Sequence, residues 1–144
     1  MGMTTCISRS VLIGTRRISA DLAPREACGL LFGSADAITA MQGVENVAED
    51  PERRFEIDPA ALFAALRAER AGGPRIAGYW HSHPSGDPTP SATDAAMAAA
   101  DGKLWLIVAG EAASLWRTSA AGALHGRFDA VPVIVDEEPG ASEW

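Results

Sequence analysis

An α+β fold is predicted here: a single domain arranged as an α/β sandwich around one largely antiparallel sheet. Three observations carry it. The chain has 144 residues, enough for one compact domain with a sizeable core and too few for two. Hydrophobic residues make up 47% and charged residues 22%, the balance of a globular chain and not of a disordered, collagen-like or coiled-coil one. Helix and strand patterns are mixed in the earlier part of the chain, and strand patterns then follow one another to its end, unlike the regular alternation of a doubly wound βαβ fold.

The first helix is read over roughly residues 8–22. Ile7, Val11, Ile18 and Leu22 recur at about helical spacing, Ser8 or Ser10 stands where a cap is needed, and Pro24 stops the continuation. Gly14 inside it costs about 1 kcal/mol relative to Ala. Cys28-Gly29-Leu30-Leu31-Phe32-Gly33 is an apolar run bounded by glycines and reads as a buried strand, with another over Ala37–Val44. Over Arg53–Asp58, Phe55 and Ile57 alternate with Arg54 and Glu56, the period of a half-buried strand. A second helix follows: Asp58 caps it, Pro59 suits its first position, Leu62, Phe63 and Leu66 line one face, and Gly72-Gly73-Pro74 ends it. Arg75–His83 reads as a strand running into the Pro-rich loop Pro84–Pro90, and Ala92–Ala100 as a helix. Leu104–Ala109, Ala112–Arg117, Leu124–Phe128 and Val131–Val135 are the closing strands. The domain is thus residues 1–135, and Asp136–Trp144 is an acidic tail expected to be unstructured.

Nineteen acidic against twelve basic residues give a net charge of −7, the wrong sign for binding a phosphate backbone or anionic lipid. Neither nucleic acid nor a membrane is an expected partner. No stretch of eighteen consecutive apolar residues occurs and the N-terminus does not read as a secretory leader, so a cytoplasmic protein is expected. Cys6 and Cys28 are too far apart for a CxxC motif and read as reduced, unreactive thiols, pairing only if the first strand lies beside the second. His125 falls in a late strand and reads as a rim residue. The oligomeric state stays open, a homodimer among the options.

The chemistry gathers in one stretch. On an extended strand residues i and i+2 face the same way, so His81 and His83 can converge on one ion. Further on, Ser91-Ala92-Thr93-Asp94 opens a helix after Pro90 and brings the carboxylate of Asp94, eleven residues past His83, beside them. Two His and one carboxylate leave a fourth position open, the arrangement of a catalytic rather than a structural zinc. A metal-activated water also needs a group that takes its proton and hands it to the leaving amine. Glu26, at the junction of the first helix and the next strand and flanked by apolar sequence, is the candidate. Duller readings exist for each: His81 and His83 as rim residues, Ser91 and Asp94 as a capping box, Glu26 as a solvated acid, and Trp80 and Cys28 as packing.

His81-Ser82-His83-Pro84, followed through Pro90 by Ser91-Ala92-Thr93-Asp94, together with Pro24-Arg25-Glu26-Ala27-Cys28-Gly29 upstream, resembles the JAMM (MPN-plus) metalloprotease family over roughly residues 5–135. The resemblance implies the MPN fold, with a curved sheet flanked by helices. It implies that His81, His83 and Asp94 bind one zinc ion, that Glu26 is general base and acid, and that Ser91 donates a hydrogen bond to the oxyanion. It also implies hydrolysis of a peptide or isopeptide bond after the Gly-Gly tail of ubiquitin or a ubiquitin-like protein. For a short, stand-alone bacterial-type member, the implied substrate is a sulfur-carrier protein of ubiquitin fold. The chain leaves little room for the insertions that grip ubiquitin chains. Two alternatives are a non-catalytic, carrier-binding scaffold of the same fold and a RadC-like protein, which the Pro84–Pro90 loop also resembles. A zinc nucleobase deaminase is excluded, because no His-x-Glu with Pro-Cys-x-x-Cys is present.

Overall fold

A computed structural model of the chain describes residues 4–136. The chain runs β1 (Thr5–Ser8), α1 (Arg9–Leu22), β2 (Cys28–Gly33), β3 (Ala37–Val44), α2 (Pro59–Arg70), β4 (Ile76–Ser82), α3 (Ala92–Met97), β5 (Leu104–Ala109), β6 (Ala112–Gly122), β7 (Gly126–Ala130) and β8 (Val133–Asp136). All eight strands form one sheet in the order β7-β6-β5-β4-β2-β3-β1-β8. The fold is α+β, and the sheet is more mixed than expected: β1 pairs in parallel with β3 and β8, and β4 with β5, against four antiparallel pairings.

Side chains alternate across the sheet and make two cores. On the α1 side, Ile7, Val11, Leu12, Leu31, Ile38, Trp80, Leu104, Leu106 and Leu115 pack together. On the other side, Cys28, Phe55, Ala98, Trp105 and Phe128 form a smaller, aromatic cluster. Trp80, fully buried, donates its indole N–H to the Gln42 carbonyl at 3.1 Å, so β4 is tied to β3 across the intervening β2. Gly29 leaves the space for this crossing, since a Cβ there would lie 1.8 Å from the Gln42 carbonyl oxygen and 2.3 Å from Trp80 Nε1. Gly29→Ala is expected to lower stability by about 1–3 kcal/mol, read as a shift in the urea midpoint.

Several elements depart from the sequence pattern. β1 is four residues long, too short for its alternation to register, and it moves the start of α1 to Arg9; Ser8 holds the N-cap position, but its side chain makes no capping bond. Arg53–Asp58 is not a strand: only Ile57 bridges, to Asn46, and Phe55 turns into the aromatic cluster instead of continuing a ladder. In α2 the Asp58 cap and Pro59 start hold, but Phe63 is 59% exposed and no residue of the helix is fully buried. Helix α3 stops at Met97, because Ala98 becomes extended and buries in the aromatic cluster. β6 continues to Gly122, and His125 sits in the turn to β7 with φ 54°, not in a strand. β8 begins at Val133 and takes in Asp136; the rest of the acidic tail lies outside the described residues. Neither cysteine is in a disulfide, since β3 separates β1 from β2. Among the described residues no helix is long and apolar enough to cross a membrane.

Candidate metal centre and catalytic cleft

The site forms where β4 ends. His81 is the penultimate residue of β4, and His83 follows it in extended chain whose N–H donates to the Val108 carbonyl at 2.9 Å. The two-residue period therefore carries past the strand end, and both rings turn to the same side. Their Nε2 atoms lie 3.0 Å apart. Asp94, in the first turn of α3, meets both: its Oδ2 is 3.0 Å from His83 Nε2, and its Oδ1 is 3.2 Å from His81 Nε2. The three residues are buried, and one donor atom from each lies within 4.8 Å of the others. Asp94 is also half of a capping box, in which its Oδ2 accepts the Ser91 N–H and Ser91 Oγ accepts the Asp94 N–H, both at 3.0 Å. The capping reading and the ligand reading are thus both satisfied, since the cap aims the carboxylate.

The donor set fits a metal ion. Two imidazole nitrogens facing one another cannot both present bare lone pairs, so a cation, proton or metal, must sit among them and the carboxylate. Tetrahedral zinc with bonds of about 2.0–2.1 Å spaces two nitrogens about 3.3 Å apart, close to the spacing found. His83 Nδ1 faces the Asp87 carbonyl at 2.7 Å, and since a carbonyl only accepts, Nδ1 carries a proton, which leaves Nε2 as the atom turned to the site: protonated it donates to Asp94, and its lone pair would be offered to a metal that takes that proton's place. Burial lowers the pKa of His81 and keeps its ring neutral, as a ligand must be. Burial acts the same way on His83, but hydrogen bonds to Asp94 and Asp87 outweigh it and raise that pKa. Burial disfavours the Asp94 charge as well, yet hydrogen bonds from both histidines hold the carboxyl well below the usual carboxylate range.

Glu26 lies in the turn between α1 and β2, 6% exposed. It lines a cleft of about 270 Å³ with Glu52, Arg53, His83, Pro84, Ser85 and Ser91. Its Oε1 is buried and, among the described residues, finds no hydrogen-bond partner. Burial, together with the nearby Asp94 charge and against the pull of His83, pushes its pKa up to about 7. A carboxyl poised near neutrality, unpartnered and beside a metal-type donor set is suited to move protons.

All five residues singled out in the sequence are brought to one place. Others escaped it. Phe55 stacks on the His81 ring at 4.3 Å with Trp105 edge-on at 5.5 Å, a dry wall behind that histidine. The alternation at Phe55 signalled burial but not what it covers. His125 Nε2 reaches the Pro90 carbonyl at 3.1 Å and Ser114 Oγ donates to the Pro88 carbonyl, so β6 and its turn pin the loop that leads to Ser91. Cys28, opposite His81 in the β2–β4 register, is a core thiol pushed up to about 12 by burial.

Residues 9–119 match the family described as prokaryotic homologs of the JAB domain. A curated desampylase from Haloferax volcanii is 41% identical over 100 residues, covering 68% of this chain and 72% of that protein. Among solved structures, a protein from Desulfitobacterium hafniense superposes with a TM-score of 0.77 at 25% identity, over 94% of each chain. A protein from Salinibacter ruber does so with a TM-score of 0.65 at 27% identity, again over 94% of each. A JAB1/MPN domain protein from Archaeoglobus fulgidus, 21% identical, shares the fold with a TM-score of 0.57 over 92% of this chain and all of that one.

Proposed function

The chain belongs to the prokaryotic JAB-domain family, a JAMM-type hydrolase, and from that premise we propose that it cleaves the peptide or isopeptide bond after the C-terminal Gly-Gly of a ubiquitin-like protein, a sulfur carrier in particular, with one zinc ion held by His81, His83 and Asp94. The observation that carries this reading is the pairing of a buried His-His-Asp donor set with a non-ligand carboxyl, Glu26, raised to about 7 in the same cleft. The likeness to the desampylase supports a ubiquitin-like protein as the substrate class.

Zinc bound there would supply the Lewis acidity that brings the pKa of water to about 7 and polarises a carbonyl. The proton work falls to Glu26. Its carboxylate takes a proton from the attacking water as the oxygen bonds to the scissile carbon, and returns that proton to the amine nitrogen as the C–N bond breaks. Burial of Glu26 limits the bulk water that can compete for that proton, and the aromatic wall of Phe55 and Trp105 keeps water from the back of His81. Ser91 Oγ accepts the Asp94 N–H, which leaves its own O–H free to donate to the developing oxyanion.

That division of labour gives a test of Ser91. Ser91→Ala removes a cap, costing about 0.5–2 kcal/mol of stability, and an oxyanion donor, costing about 10²–10³-fold in kcat. Thermal unfolding and steady-state kinetics on the zinc-loaded protein separate the two, and a kcat loss under tenfold would assign Ser91 to the cap alone.

The substrate class is tested by incubating the zinc-loaded protein with ubiquitin-fold sulfur carriers joined through Gly-Gly to a lysine side chain. Mass spectrometry is expected to find the carrier ending in free Gly-Gly and the released amine. Carriers that bind yet are never cut would contradict the assignment.

A further inference from the structure

Glu26 belongs to no strand or helix, so its position depends on what ties that turn down. One tie comes from β4: the next residue, Ala27, donates its N–H to Ser82 Oγ at 2.7 Å, and Ser82 returns its N–H to the Ala27 carbonyl at 3.0 Å. The other comes from residues 46–56. Glu26 N–H donates to the Pro51 carbonyl at 2.7 Å, and the Glu26 carbonyl accepts Asn46 Nδ2–H at 2.9 Å. Both backbone polar groups of Glu26 are therefore held by this one loop.

Asn46 is also what shapes the loop. A carboxamide offers two N–H donors and two lone pairs. Nδ2 donates to the Glu26 carbonyl and, at 3.0 Å, to the Arg54 carbonyl, with the Pro51 carbonyl a longer 3.5 Å away. Oδ1 accepts the Ala48 and Glu56 N–H groups, each at 3.0 Å. The whole hydrogen-bonding capacity of one side chain is spent on closing the loop and fastening it to the turn of Glu26. The same loop carries Phe55, stacked on His81, and places Glu52 and Arg53 in the cleft wall.

We propose that Asn46 is a positioning residue for the reaction: it fixes the Glu26 carboxyl relative to the His81–His83–Asp94 donors and holds Phe55 on the His81 ring. The inference rests on the role proposed above for Glu26. Asn46→Ala removes every bond. Asn46→Asp keeps an acceptor for Ala48 and Glu56 and sets an oxygen against the carbonyls of Glu26 and Arg54, so it frees the turn with less damage to the loop and carries the test should the alanine variant not fold.

The experiment is steady-state kinetics of the zinc-loaded variants on a Gly-Gly-linked carrier conjugate. It is repeated in a Glu26→Asp background, where the carboxyl is already displaced by one methylene. In the otherwise wild-type chain kcat is expected to fall about 10- to 100-fold, the cost of loosening a group behind a reacting one. KM should change less than about threefold and zinc content should hold. In the Glu26→Asp background the same substitutions should cost less than about threefold, because the two changes act on one geometry. Full kcat in folded Asn46→Asp, or equal losses in both backgrounds, would overturn the role of Asn46. Wild-type activity in Glu26→Gln would instead overturn the reading of Glu26 itself, so the two failures are distinguishable.

Discussion

Glu26→Gln is expected to stop hydrolysis while the protein still binds zinc and, stripped of metal, becomes more stable above neutral pH. The kinetic loss is about 10²–10⁴-fold, the contribution of a positioned acid–base group. The stability gain follows from linkage. Burial raises the folded-state pKa of Glu26 from 4.5 to about 7, so the folded protein binds the proton more tightly than the unfolded chain does. The stability this lends is fully present below about 4.5 and is lost as pH rises through about 7. At pH 8 the wild-type protein holds a buried, ionised carboxylate at a cost on the order of 1–3 kcal/mol, which the neutral amide escapes. Urea midpoints of both metal-free proteins at pH 5 and pH 8 check it: the advantage of the variant should open between the two. Equal midpoints at both pH values would show that Glu26 is solvated in the folded protein.

The largest effect on metal binding is expected from His83→Ala and Asp94→Asn. His83 joins Asp94 and, through its other nitrogen, the Asp87 carbonyl, so its loss removes a donor and releases the loop that carries Pro84 to Pro90. Asp94→Asn is the sharper probe. The amide oxygen can still accept the Ser91 N–H and keep the capping box, while the anionic donor facing both histidines is gone. Zinc affinity should fall by more than about 100-fold in either variant, beyond what loss of a group merely supporting a ligand costs, and hydrolysis should fall with it. Competition with a fluorescent chelator measures the affinity, and far-ultraviolet circular dichroism checks that α3 survives in Asp94→Asn. Wild-type affinity in both variants would leave Asp94 a helix cap and the histidines a hydrogen-bonded pair.

Which parts of this could be read from the sequence follows from how local their causes are. The donor set was legible because its geometry is short-range: a two-residue period orients His81 and His83, and an S-x-x-D cap orients Asp94. β2 was legible from its apolar run and glycine boundaries, β3 from the strand pattern over Ala37–Val44, and α2 from Asp58 and Pro59. The parallel edge of the sheet was not. β1 is four residues whose partners, Ala37–Ile38 and Val133–Asp136, are distant in sequence, and no local pattern announces such pairings. Phe63 lines one face of α2 with Leu62 and Leu66 yet is exposed, because helical periodicity shows which residues share a face and not whether anything covers it. Asn46 gave no signal, since a lone polar residue after a strand reads as an ordinary turn; four of its five partners come from the way residues 48–56 fold back on it, and the fifth, Glu26, is twenty residues away in sequence.

The most direct test of the central claim is a zinc titration of the metal-free protein, with cleavage of a Gly-Gly-linked ubiquitin-fold carrier conjugate followed at each step. The expected result is no cleavage without metal, a rate that climbs linearly and levels off at about one zinc per chain, and a flat line throughout for Glu26→Gln. Cleavage that persists after chelation and ignores added zinc, or a zinc-saturated wild-type protein that leaves the bond intact, would contradict it.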